Sequence, residues 1–340
     1  YPSKYPRTNL QLIYALSLNI SKVYTKNIFL AIFLLSIPLA FIQICLTNFD
    51  HKNYMKLYSL RKAKTKTNNI IYNSPHSGEC FPDGFLNSTL IDEHTLLCSG
   101  DSFVDQLYTE TQKCGSVLLS NNFARSFMDT NREAYELDPE MFNDEITEKL
   151  NNHSQKVKLG FGSIAKYAYT RKDIYKTKLP FDQAKQRLLD YYFPIHDCLN
   201  TLLNEEYDRF GYSLLIDCHS MPSYEFLGQK SLSHNQSDII LGNLYGSSCH
   251  SAITDYITRH FKKYDLTVSH NAPFAGGYNT TCYGAPDKGR HAIQIEINKS
   301  LYMDESARKL NKYFDPLKVI ISELMFHLDQ DIDALINDTD

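Results

Sequence analysis

The sequence has no Cys-x-x-Cys pair, no internal repeat and no excess of positive charge. Each absence removes a class of function. Eight scattered cysteines do not make the dense framework of a disulfide-stapled domain, and they read as reduced thiols of a cytosolic protein. A formal net charge of -4 leaves no basic footprint for nucleic acid, so a small-molecule partner suits the chain better. No linker-like stretch interrupts residues 65–330. What remains is globular in composition, with 43% hydrophobic and 22% charged residues over 340 positions. That length can bury a full core as one large domain or two ordinary ones.

One long apolar run stands apart. Ile28 to Leu46 gives about 19 residues, enough to cross a bilayer core at 1.5 Å per residue. Three readings fit it: a membrane segment, a dispensable or artefactual extension, and a packed helix of the fold. Basic residues follow it at Lys52, Lys56, Arg61, Lys62, Lys64 and Lys66, which would keep the downstream part cytoplasmic if the run spans a membrane. The chain begins with Tyr1, and Met55 would make a natural start. We therefore divide the sequence into an amino-terminal extension, 1–64, and a catalytic domain, 65–340.

From Asn69 onward, strand-like and helix-like segments alternate, which predicts one α/β domain. Ile70-Ile71-Tyr72 reads as a strand that opens at Pro75 and Gly78 into a tight loop carrying His76 and Glu79. Ligands gather in loops at the carboxyl ends of strands in such sheets. Tyr212 to Ile216 reads as a second buried strand, delivering His219. Two imidazoles and a carboxylate make a His2Glu set for zinc with one position left open for water. An amphipathic helix is expected from about Asp182 to Phe210, kinked near Pro194 and closed by Gly211. His291 to Asn298 alternates as a strand should and carries Glu296. Pro273 to Tyr278 reads as a mobile glycine loop, and Leu317, Ile320, Ile321 and Leu324 form one face of a closing helix.

Taken together, Pro75-His76-Ser77-Gly78, Asn131-Arg132, Gly160 to Ala165, Asp217-Cys218-His219-Ser220-Met221-Pro222, Asn271 to Tyr278 and His291 to Met303 resemble the N-formylglutamate amidohydrolase family. The resemblance runs from about Asn73 to Leu324. That family looks like a relative of the zinc carboxypeptidases and aspartoacylases, which implies a three-layer domain with a mixed sheet between helices. Carried over by position, it implies that His76, Glu79 and His219 hold Zn2+ and that Glu296 is the general base. It also implies that Asn131 and Arg132 recognise the substrate carboxylate, with Arg125 a looser match. Bound zinc lowers the pKa of water to about 7, and a shielded carboxylate can relay the proton to the leaving amine. Arg125 would stabilise the developing oxyanion, Arg132 would grip the α-carboxylate with its planar fork, and Tyr278 would either close over the substrate or simply pack. Asp217 either partners a ligating imidazole or serves the turn at the strand end. The expected substrate is an N-formyl or N-acyl amino acid with an acidic side chain, N-formyl-L-glutamate first. A carboxypeptidase-like peptidase or cell-wall amidase, and a binding protein that kept the fold, are the alternatives.

Overall fold

A computed structural model of the chain describes residues 56–63, 68–229, 232 and 236–337. The apolar run 28–46 lies outside the described residues. Among those described, no helix is long and apolar enough to cross a membrane.

The core is a seven-stranded mixed sheet built from β1 (Tyr58–Lys62), β2 (Ile70–Ser74), β3 (Val117–Asn121), β4 (Ser213–Met221), β5 (Ile239–Gly242), β6 (Val268–His270) and β7 (Arg290–Asn298), ordered β1-β3-β2-β4-β7-β5-β6. The central strands β3, β2, β4 and β7 run parallel, while β1 pairs antiparallel with β3 and β5 antiparallel with β7. The mixed sheet between helices is therefore present, and it takes in residues 58–62, which the sequence reading assigned to the extension. A short hairpin of β8 (Met303–Asp304) and β9 (Lys309–Leu310) follows β7.

The central strands are apolar runs because both of their faces are covered. On one face Ile70, Tyr72, Leu214, Ile216, Ile293, Ile295 and Ile297 join the helices that follow in space. Of the helices α1 (Glu93–Leu97), α2 (Val104–Leu107), α3 (Gln155–Lys158), α4 (Phe181–Arg187), α5 (Phe193–Phe210), α6 (Ser251–Lys262), α7 (Tyr278–Tyr283) and α8 (Phe314–Asn337), three cover this face: α2, α6 and α8. On the other face Ile71, Leu215 and Ala292 pack against Leu199, Leu202 and Leu203 of α5. The expected kink is a π-helical turn over Leu188–Tyr192 joining α4 to α5, with Pro194 in the first turn of α5. Proline has no N–H to give to the ladder and crowds the carbonyl four residues back, so the turn widens ahead of it. Gly211 ends α5 at φ 82.

Side chains alternate across a strand. The face that shows Ile71 and Leu215 therefore turns polar toward the carboxyl ends, through Asn73, Asp217, His219, Gln294 and Glu296, all buried. The segment after β2 and the long excursion after β3 cover this polar end with an apolar cluster of their own, Phe85 from the first and Phe127, Met128, Ile164, Phe181 and Leu188 from the second. Arg187 ties the excursion down, donating to the Phe127 carbonyl at 3.0 Å with its guanidinium 4.3 Å from the Phe127 ring. Gly78 must be glycine here. A Cβ would lie 2.4 Å from backbone atoms of Asn122 and Phe123, and that close approach lets the loop after β2 lie against the exit of β3.

Candidate functional site

His76 leaves the end of β2, and His219 lies in the carboxyl half of β4. Their rings stand 4.7 Å apart between centroids. The carboxylate between them is Asp101, from the turn before α2: its Oδ2 is 3.3 Å from His76 Nδ1 and 3.1 Å from His219 Nδ1. The Asp101 amide donates to the His76 carbonyl at 2.8 Å, which fixes one backbone on the other. Among the described residues, His76, Asp101 and His219 form a buried group whose ligand atoms lie within 4.8 Å of one another.

Glu79, the carboxylate that sequence spacing nominates, is not brought to the imidazoles. Its side chain is 47% exposed and pairs with Arg308, which also donates to Ser102 Oγ at 2.9 Å. The cause is local. Beyond Gly78 the chain binds the exit of β3, with Cys80 N donating to the Asn122 carbonyl at 2.9 Å, and Glu79 is carried outward.

The other nitrogen of each imidazole meets a carboxylate. His76 Nε2 is 2.7 Å from Asp129 Oδ1, and His219 Nε2 is 2.8 Å from Asp217 Oδ2. Such pairs fix the ring and its tautomer and leave Nδ1 free for a metal. Asp217 is fully buried, and three amides also donate to it: Asn73 at 2.8 Å, Asn279 at 3.0 Å and Asn131 at 3.2 Å. Asn131 in turn accepts the Asn279 amide at 2.8 Å and lies flush against Gly277, where a Cβ would fall 2.4 Å from its side chain.

A metal fits this arrangement. Ligand atoms about 2.0–2.1 Å from a tetrahedral zinc stand about 3.3–3.4 Å apart, close to the observed separations from Asp101 Oδ2. The electrostatics agree. Burial alone would lower the His219 pKa, but Asp217 and Asp101 lift it to about 10, so the site asks for positive charge where its carboxylates converge. Burial pushes Asp101 up, yet His219, His76 and Lys299 hold it well below the usual carboxylate range.

Glu296 on β7 is the register partner of His219 on β4, so the sheet itself sets the two side by side. Burial is the main cause that moves its pKa up to about 7; His219 opposes, Asp101 adds, and Arg125 and Lys299 oppose. Gln294 Nε2 donates to Glu296 Oε1 at 2.7 Å.

A cavity of about 310 Å³ opens beside the group, with Asp101, Asp129, Arg125, Arg132 and Lys299 in its wall. Arg125 Nε donates to Asp129 Oδ2 at 2.9 Å. Arg132 donates through Nε to the Phe161 carbonyl at 3.0 Å and through Nη1 to the Asn131 carbonyl at 2.7 Å. Lys299 is buried, with Nζ 3.8 Å from Asp101 Oδ1. Tyr278 does not line this cavity. It opens α7 directly after Gly277 and packs edge-on against His196 at 5.6 Å.

The structure thus brings together His76, His219, Glu296, Arg125, Arg132 and Asn131, and it leaves Glu79 and Tyr278 outside. Sequence reasoning missed Asp101, Asp129, Lys299, Gln294, Asn73 and Asn279. The signal for Asp101 was a Gly-Asp turn at the mouth of a helix-like segment, which reads first as a cap.

Residues 68–303 match the N-formylglutamate amidohydrolase family. The N-formylglutamate deformylase of Pseudomonas putida is 25% identical over 262 residues, covering 75% of this chain and 90% of its own length. That of Pseudomonas aeruginosa is 24% identical over 243 residues, covering 70% and 83%. The crystal structure of N-formylglutamate amidohydrolase from Ralstonia eutropha JMP134 superposes with a TM-score of 0.78 at 27% identity, over 82% of this chain and 99% of that one.

Proposed function

Since the chain belongs to the N-formylglutamate amidohydrolase family, we propose that it hydrolyses the amide of an N-acyl amino acid with an acidic side chain, N-formyl-L-glutamate first, giving formate and L-glutamate. The observation that carries this is the meeting of the His76, Asp101 and His219 group with Glu296 beside a cationic cavity. His76, His219 and Asp101 would hold the metal. Two imidazoles and a carboxylate with an open position suit zinc. When bound, zinc supplies Lewis acidity toward the acyl oxygen and toward water.

The protein side chains do the rest. Gln294 occupies Glu296 Oε1, which leaves Oε2 to take a proton from the attacking water. A carboxyl with pKa near 7 can hold that proton and pass it to the leaving nitrogen, so no covalent enzyme intermediate is needed. Arg125, already anchored on Asp129, stabilises charge developing on the acyl oxygen. Arg132 meets the α-carboxylate. Asn131 acts through Asp217 by keeping His219 in place, and Tyr278 acts by packing.

A peptidase would need an open groove with further subsites, and a cavity of about 310 Å³ fits one small molecule better. Metal content of the purified chain and formate release from N-formyl-L-glutamate, with and without chelator, test the proposal. About one zinc per chain with chelator-sensitive release is expected. A metal-replete chain that releases no formate would overturn the reaction, and one that binds no metal would overturn the site.

A further inference from the structure

The cavity wall carries more positive charge than the reacting end of a substrate requires. Besides Arg125, Arg132 and Lys299, it includes Lys156 and Arg171, against only Asp101 and Asp129. The first three cations each have a carboxylate nearby. Arg125 and Arg132 face Asp129, and Lys299 faces Asp101. Lys156 and Arg171 have no carboxylate partner within 4 Å among the described residues.

The two are nevertheless held in place. Lys156 sits in α3, which Ser154 caps by accepting the Val157 amide at 3.0 Å, and its carbonyl accepts the Phe161 amide at 2.8 Å. Phe161 is the hub of this wall. Its carbonyl takes Arg132 Nε at 3.0 Å, and its ring lies 5.4 Å beneath the Arg171 guanidinium. Lys156, Arg171 and Arg132 therefore share one support in the wall of the same cavity. Lys156 and Arg171 are both exposed to solvent where they line the cavity, and the neighbouring Arg132 and Arg125 repel the Lys156 charge, so an anion arriving there relieves that repulsion. Lys158, two residues on, is exposed like Lys156 but lies outside the cavity wall.

We infer that Lys156 and Arg171 form a second anion subsite, which takes the side-chain carboxylate of the acyl amino acid while Arg125 and Arg132 serve its reacting end. Lys156 then sets the preference for acidic over amide side chains. This rests on the function proposed above and adds the residues that select the substrate.

The test compares N-formyl-L-glutamate with N-formyl-L-glutamine, which has nearly the same shape and one charge fewer, on the metal-replete full chain. Lys156→Met lowers kcat/KM for the acid roughly ten- to hundredfold, as expected for a lost charge-assisted hydrogen bond, and it acts mainly through KM. It changes the amide less than about twofold, Lys156→Arg restores part of the preference, and Lys158→Met, with the same change in net charge, alters neither substrate. An unchanged acid-to-amide ratio in Lys156→Met overturns the inference, as does an equal shift in Lys158→Met. If the wild-type chain turns over neither compound, the proposed reaction fails separately. Calorimetric binding of the same two compounds then decides: the subsite stands if the acid binds at least about tenfold tighter and Lys156→Met removes that margin, and it falls if the two bind alike.

Discussion

Two interior histidines near the same end of the sheet show what burial alone does and what a carboxylate changes. His196 is satisfied by neutral groups: its Nε2 donates to the Thr130 carbonyl at 2.9 Å, and its Nδ1 accepts from Tyr283 Oη at 2.7 Å. Burial drives its pKa down to about 4. His219 is at least as deep, yet Asp217 and Asp101 raise it to about 10. Desolvation favours the neutral ring in both, and only the carboxylates reverse the sign. The first ring is a packing element with a polar rim, whereas the second sits in a buried group of His76, Asp101 and His219 that could hold a cation.

Removing the charged ring breaks the contrast most completely. His219→Ala should lose bound metal and formate release together; a metal-free variant that stays fully active would end the site proposal. Glu296→Gln should keep the metal and lose about 100- to 10,000-fold in turnover, because it deletes the base and no ligand. Elemental analysis beside the kinetics checks this, and loss of metal would move Glu296 among the ligands. Asp217→Asn keeps the shape and three amide neighbours but removes the charge that lifts His219. A 10- to 100-fold weaker affinity for zinc is expected in chelator competition, and unchanged affinity would show that Asp217 is only a packing group.

The smallest effect sharpens the other side. His196 has a folded pKa of about 4, below the roughly 6.5 of an unfolded chain. Its stabilising contribution is therefore complete above pH 6.5 and is lost as the pH falls toward 4. Because the side chain is only half-buried, about 1–2 kcal/mol of that contribution is expected rather than the full equivalent of the shift. Urea unfolding of wild type and His196→Gln at several pH values would show the difference between them shrinking across that window, and a constant difference would refute the depressed titration.

The sheet was legible where physics is local. Ile70 to Tyr72, Leu214 to Ile216 and Ala292 to Ile297 declare themselves as strands by apolar runs or alternation, and Pro194 announces the widened turn before it. The site was legible only in part, since its geometry comes from pairings between distant strands. Nothing within a few residues of Glu296 reveals that it lies level with His219, more than seventy positions away. For the same reason the short interval from His76 to Glu79 drew attention to a carboxylate that pairs with Arg308, while Asp101 lies between the imidazoles. Asp101 and Asp129 reach His76 from separate loops, and no spacing encodes that meeting. Lys299 was hidden by its type, because lysine is so seldom buried that a sequence reader places it in water.

The outermost strands have a consequence for the molecule among its neighbours. A sheet ending in a long, flat ribbon of unpaired amides and carbonyls would invite another chain to continue it. Here one border, β1, finishes on Arg61 and Lys62, and the other, β6, is only three residues long. Both are poor templates for a stranger's backbone, so the described part of this protein should tolerate crowding without seeding strand-by-strand growth.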